Sequence, residues 1–348
     1  MWCSKQICLS SDDVNIVARL LAQEIMNHGL TYKSSDLSMN RGQTIKEMWN
    51  VSVCLTDPKK RILRSGLFPI FNPGLAVARF IYMLSGSSLL TPIAFYTEKV
   101  RQFSDDGETI LGSSYGKRIF GNEPIGNQFE IAARLIVQRP DTKRAVITLY
   151  DRDDLERTES RDIPCATNIV FMPRGNVLHA TVCMRANDVV KLLPYNIFEF
   201  SLLQECMAAR VGMEVGSYWH TVVSAHLRGM DFDFIPSFVS ETQQSERMAA
   251  IQSFSEETRK LLIAEEQRIR ESVNSLSTMQ YTLQKIWDEF NPVWADVLST
   301  IACEVLRVHT RDSHDAKQEI EKVISGYKGQ GALLSSYKDF LSLEKRWV

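Results

Sequence analysis

The apolar positions of the chain fall into two regimes. From the N-terminus to about Asp233, helical and strand periods alternate. Val14, Ile16, Val17, Leu20, Leu21 and Ile25 recur at helical spacing behind Ser11 and Asp12, which predicts a capped helix over Asp12 to Asn27. Trp49 to Leu55 alternates as a strand and is followed by the turn Asp57-Pro58. Asn72-Pro73-Gly74 opens a helix over Leu75 to Leu84, and Ser85-Gly86 closes it. A helix over Asn127 to Gln138, a strand over Ala145 to Tyr150 and a β-rich run over Asn168 to Val182 come next. Beyond Asn196 an apolar helix passes Phe198, Phe200, Leu202, Leu203 and Met207, stops near Gly212, and gives way to a strand from Glu214 to Arg228. After Asp233 strand-type runs end. Gln243 to Val308 reads as nearly continuous helix, broken at Pro292, with a further helix over Asp312 to Ile324. The pattern predicts an α/β (α+β) unit over residues 1–233 and an all-helical C-terminal extension over 234–348.

Composition narrows the functional classes. With 348 residues, 44% hydrophobic and 24% charged, the chain has the make-up of a soluble globular protein. A net charge of −2 gives no global field toward nucleic acid or an anionic membrane, so an anion site has to be local. No apolar run approaches the ~20 residues that span a bilayer, and the first residues lack the layout of a secretory signal. Seven scattered cysteines with no CxxC pair argue against a disulfide framework or a zinc site, and for a reducing, cytoplasmic setting. Cys54 and Cys206 lie in apolar runs and read as packing residues; Cys165, behind Pro164, does not.

Cys165 is therefore the candidate nucleophile. Its thiolate needs nearby cations, for which Arg185 and Arg144 are placed. Asn196 offers both a donor and an acceptor, the chemistry that reads the N3 and O4 edge of a pyrimidine. A thiolate adding at C6 of such a ring makes C5 nucleophilic. Arg41-Gly42 and the small-residue loop around Tyr115 and Lys117 suit an anion or a ligand edge. Arg79 stands in the middle of an apolar helix and must pair or line a site.

Taken in order, these motifs resemble the thymidylate synthase superfamily, including its nucleotide hydroxymethylase branch. Pro164-Cys165 looks like the family's Pro-Cys nucleophile, Arg185-Ala186-Asn187-Asp188 like its Arg-Ser-x-Asp segment, and Leu193-Pro194-Tyr195-Asn196-Ile197 like Leu-Pro-Phe-Asn-Ile. His226-Leu227-Arg228 stands where the family has His-x-Tyr, and Asp141-Thr142-Lys143-Arg144 resembles the segment one subunit lends to the other's phosphate site. The resemblance covers roughly Met39 to Asp231. It implies a large sheet flanked by helices, a homodimer, a pyrimidine nucleoside monophosphate as ligand and 5,10-methylenetetrahydrofolate as cofactor. By position, Cys165 and Asp188 would be catalytic. Arg41, Tyr115, Lys143, Arg144, Arg185, Asn196, His226 and Arg228 would bind the nucleotide.

The departures also carry meaning. Arg79 stands where the family's proton-relaying glutamate belongs, which leaves Glu47, Asp105 or Asp106 to take over that role beside the cofactor. Ala186 removes a hydroxyl from the phosphate site, and Arg228 replaces the sugar-facing tyrosine. The family's short C-terminal segment that closes over folate has no visible counterpart. The reading is folate-dependent one-carbon transfer to C5, of the hydroxymethylase type. The alternatives are a nucleotide-binding module whose C-terminal helices serve a protein partner, and a thymidylate synthase.

Overall fold

The computed structural model describes residues 7–35, 42–67, 70–121, 126–309, 314–329 and 331–347. The strands are β1 (Ile7–Ser11), β2 (Leu30–Lys33), β3 (Thr44–Leu55), β4 (Val146–Thr148), β5 (Ala166–Arg174), β6 (Val177–Asp188) and β7 (Glu214–Arg228). They form one sheet in the order β1-β3-β7-β6-β5-β4, with β2 on the first half of β3. The β-rich run proves to be two strands turned at Gly175, which sits at φ 58°, a conformation that costs glycine little. β6 and β7 are parallel, so they need a crossover, and α6 (Leu193–Val211) supplies it.

Strand alternation gives the sheet two unlike faces. Ile169, Phe171, Ala180, Val182, Tyr218, His220 and Val222 are buried, whereas Val170, Met172, Thr181, Cys183, Trp219 and Thr221 are half-buried and Val223 is exposed. Residues Leu193 to Ala208 of α6 are all buried. Among them Phe198 and Phe200 each contribute on the order of 2–3 kcal/mol of transfer free energy. Two glutamates also sit inside this helix, Glu199 and Glu205, and each is neutralised by an arginine, Arg79 and Arg61.

Of the helices before the site, the first, second and fifth fall where the periodicity predicts them, the first capped one or two residues later than Asp12 or Ser11 would allow, and the third and fourth were not expected. α1 (Val14–His28) is capped by Asp13, and α2 (Pro73–Ser85) by Asn72, with Gly86 left-handed at its end. α3 (Leu90–Tyr96), α4 (Tyr115–Phe120) and α5 (Gln128–Gln138) then lead to β4.

The C-terminal third holds α7 (Ile235–Ser240), α8 (Glu256–Glu271), α9 (Leu276–Glu289), α10 (Pro292–His309), α11 (His314–Gly326) and α12 (Ala332–Trp347). The expected helix from Gln243 is absent up to Ser255. That stretch is tied down as coil: Ser245 N donates to Asp13 Oδ2 at 2.8 Å and Ile251 N to Glu205 Oε1 at 3.0 Å. α10 lies close against α2. A Cβ on Gly74 would stand 2.6 Å from Glu304 Cβ and 2.8 Å from the Tyr337 ring. Glu304 accepts hydrogen bonds from Asn72, Arg307 and Tyr337. One buried apolar cluster runs from Ile7 to Phe340 and joins these helices to the sheet.

Candidate active site

The β6–α6–β7 crossover brings the carboxyl ends of two parallel strands next to the start of a helix, where ligands of α/β proteins gather. Asp188, the last residue of β6, is in register with His226 of β7, and His226 with Glu47 of β3. Asp188 Oδ1 accepts from the backbone N–H groups of Val190 and Lys191, which fixes the turn into α6. Its Oδ2 lies 2.7 Å from Arg228 Nε, but the pair is not aligned as a hydrogen bond. Asp188 Oδ2, Arg228 Nε, His226 Nε2 and Asp231 Oδ2 are all buried without a hydrogen-bond partner among the described residues. Asp188 Oδ2 and Arg228 Nε answer each other by charge, which leaves His226 Nε2 and Asp231 Oδ2 as the polar atoms that a ligand would have to meet. Burial pushes the His226 imidazole down against the pull of Asp188, so it faces that ligand neutral.

Asn196 lies in the first turn of α6. It is only 4% exposed, and its side-chain amide makes no hydrogen bond among the described residues.

Cys165 is half-buried and closes the other side. Its loop is clamped at each neighbour. Arg185 donates from Nε to Pro164 O at 2.8 Å and from Nη2 to Ile163 O at 3.1 Å, and its backbone N donates to Cys165 O at 2.7 Å. Ala166 N donates to the Tyr115 hydroxyl at 3.1 Å. Tyr115 opens α4, where a loop was expected. The approach to it is held by the Asp162 carboxylate, which accepts from Gly112 N and Ser113 N. Burial first, then the neighbouring Cys165 and Glu199, push the Tyr115 hydroxyl well above the usual tyrosine range.

Arg79 points into the same space. Its Nε meets Glu199 Oε1, and its Nη2 lies 3.3 Å from Oε2. The guanidinium lies 5.5 Å from the centre of the Tyr195 ring. Tyr195 is in turn fixed by Asn72, whose backbone N–H donates to its hydroxyl at 3.0 Å.

Other expected residues lie apart from this group. Asp106 accepts from Glu108 N, Thr109 N and Ser104 and so builds its own exposed turn. Asp105 pairs with Arg157 and Ser160 at the surface. Neither makes a contact with Cys165, Arg79 or Asn196 among the described residues. Lys143 and Arg144 are exposed in the turn before β4, and Arg41 lies outside the described residues. Glu199 was missed by the sequence reading. Its signal was there, a carboxylate one turn beyond Asn196 between two phenylalanines, Phe198 and Phe200.

The thymidylate synthase family model matches residues 93–262. The deoxyuridylate hydroxymethyltransferase of Bacillus phage SP01 is 25% identical over 336 residues, 91% of this chain and 85% of that protein. The enzyme of the same name from Delftia phage PhiW-14 is 29% identical over 208 residues, 54% of each chain. Among solved structures, the thermostable thymidylate synthase A from Bacillus subtilis superposes with a TM-score of 0.54 at 16% identity, covering 66% of this chain and 84% of that one. By family model, the chain carries a thymidylate synthase domain over residues 93–262; by relatives and by fold it is similar to that family of transferases, at low identity.

Proposed function

We propose that the chain transfers a one-carbon unit to C5 of deoxyuridylate and that water completes the product as a hydroxymethyl group. The observation that carries this reading is the Asn196 side chain, 4% exposed in the first turn of the helix that follows the strand bearing Arg185, whose guanidinium holds the Cys165 loop. The Asn196 amide oxygen suits N3–H of uracil and its nitrogen suits O4. The Cys165 thiolate adds to C6, with the Arg185 cation anchoring its loop. His226 and Arg228 face the sugar. The third guanidinium nitrogen of Arg185, which has no protein partner among the described residues, faces the phosphate. The names of the two phage relatives support the substrate and the product type.

The residues present also fit a reduced folate. A pterin ring presents N–H donors, and Asp188 Oδ2 is a buried carboxylate oxygen with no aligned donor. Bound 5,10-methylenetetrahydrofolate would supply the carbon.

A second copy of the chain completes the reading. The half-covered sheet face carries Val170, Met172, Cys183, Trp219 and Val223 around Thr181 and Thr221, a mixed surface of the kind that can pair with a copy. Packed against a copy, it would make a homodimer whose exposed Lys143 and Arg144 reach the partner's phosphate site.

Incubation with 5-fluoro-dUMP, with and without methylenetetrahydrofolate, tests the chemistry. Mass spectrometry should find a folate-dependent adduct on Cys165. Nucleotide binding without any adduct would instead leave a binding module.

A further inference from the structure

The Arg79–Glu199 pair is built asymmetrically. The Glu199 side chain is 3% exposed and that of Arg79 is 30% exposed, so the carboxylate stands behind and the guanidinium in front. A buried carboxylate inside an apolar helix is costly unless paired, and here both oxygens face one guanidinium. Three contacts fix the cation: the two nitrogen contacts to Glu199, and the Tyr195 ring beneath it, itself tied to the N-cap of α2. Its third nitrogen, Nη1, has no protein partner among the described residues. Tyr115 joins the two groups: its hydroxyl accepts from Ala166 N, next to Cys165, and its ring lies 5.4 Å from that of Phe200, next to Glu199.

We propose that Arg79, held by Glu199, is a fixed cation that stabilises the negative charge arising on pyrimidine O4 when Cys165 adds at C6, with Glu199 as its positioning residue. This rests on the reading of the function given above. In the step, the thiolate pair forms the S–C6 bond, the C5=C6 π pair moves between C4 and C5, and the C4=O4 π pair moves onto O4. No proton is transferred. A guanidinium does not release its proton at neutral pH, so it acts here by charge and hydrogen bonding alone. Burial opposes the charge on Arg79, but the Glu199 carboxylate outweighs it and keeps the guanidinium protonated. Asn196 lies one turn before Glu199 on α6, so the amide that reads O4 and the cation that neutralises it approach from the same helix face.

The test is the rate of Cys165 adduct formation with 5-fluoro-dUMP and methylenetetrahydrofolate, alongside the dUMP dissociation constant. Arg79→Met/Glu199→Met removes both charges and keeps the volume, which spares the fold an unpaired buried ion. Its adduct rate should fall about 100- to 1,000-fold, the usual loss when an oxyanion donor is removed, while dUMP affinity stays within about threefold. Arg79→Lys keeps the charge but cannot hold both oxygens, and should lose roughly tenfold. It serves as the readout if the double variant does not fold. The pH profile of the remaining adduct rate should keep the parent's shape. The groups facing Arg79 are Glu199, Tyr195, Tyr115 and, through Tyr195, Glu304, and none of them gives up a proton through Arg79. A parent that forms no adduct overturns the function and this inference together. A parent that does, while both variants keep rates within threefold or lose affinity as much as rate, overturns this inference alone. So does the loss of one limb of the pH profile.

Discussion

Replacing Glu304 with alanine should unfasten the C-terminal helices from α2. Glu304 is fully buried and accepts from Asn72 Nδ2 at 2.9 Å, Tyr337 Oη at 2.8 Å, Arg307 Nε at 2.8 Å and Arg307 Nη2 at 2.7 Å. The alanine variant leaves two buried neutral donors unmet, at about 1–3 kcal/mol each. Arg307 suffers less, because it keeps Glu344 at 3.0 Å and is partly exposed. The total is about 3–5 kcal/mol, the range found when one partner of a buried ion pair is removed. In urea, a chain of this size with a slope of about 3 kcal/mol/M or more should show its midpoint lowered by roughly 1 M. Glu304→Gln keeps the shape and one acceptor, and should cost about half as much. Asn72 also caps α2 and holds the Tyr195 hydroxyl, so the alanine variant should slow Cys165 adduct formation too. A midpoint shift worth less than 1 kcal/mol would show that the buried Glu304 network does not bind the two parts together.

Further outcomes follow from the site and the sheet. His220 bonds Tyr218 through Nδ1 and Asn187 through Nε2, both at 2.9 Å, and burial pushes its imidazole down to about 3. Between about pH 6.5 and 3 the unfolded chain therefore binds a proton the folded one does not. Stability should be complete above pH 6.5 and fall by up to about 1.4 kcal/mol per unit below it; His220→Gln should flatten that fall in urea titrations at pH 5 and 7.5. Asn196→Asp exchanges a donor for an acceptor, so it should weaken dUMP binding at least tenfold and improve relative binding of dCMP, measured by calorimetry. Trp219→Glu places a charge on the half-covered sheet face and should shift the sedimentation of a dimer toward monomer, with helix content by circular dichroism unchanged.

Much of this was legible in the chain because periodicity and caps are local. The Asn72 cap, the Gly86 stop and the alternation of β7 are written in neighbouring residues, and α2 was expected over Leu75–Leu84 and found over Pro73–Ser85. The order Cys165, Arg185, Asn196, His226 was equally visible, because strand and helix carry those residues to one end of the crossover. What was not legible depended on partners far away in sequence. Asp105 and Asp106 looked like replacements for a lost carboxylate, but a loop composition says nothing of which surface it faces. The carboxylate that does meet Arg79, Glu199, lies 120 residues from it. The coil before Ser255 has helix-forming residues, yet tertiary bonds to Asp13 and Glu205 hold it extended. β1 was missed because its pairing partner, β3, begins more than thirty residues later.

The contact at Gly74 carries a consequence for how the pocket is gauged. With Glu304 and Tyr337 against it, α2 has no room to move toward α10. Any side chain at 74 would act as a wedge, opening a gap of about an ångström and tilting the helix. Arg79 stands five residues on, about 7.5 Å along the axis, so the tilt would arrive there as a displacement of its guanidinium relative to Glu199. The far end of the chain thus acts as a stop that sets the depth of a side chain in the pocket. Residues 292–347 bear on substrate geometry through leverage, without having to touch the substrate.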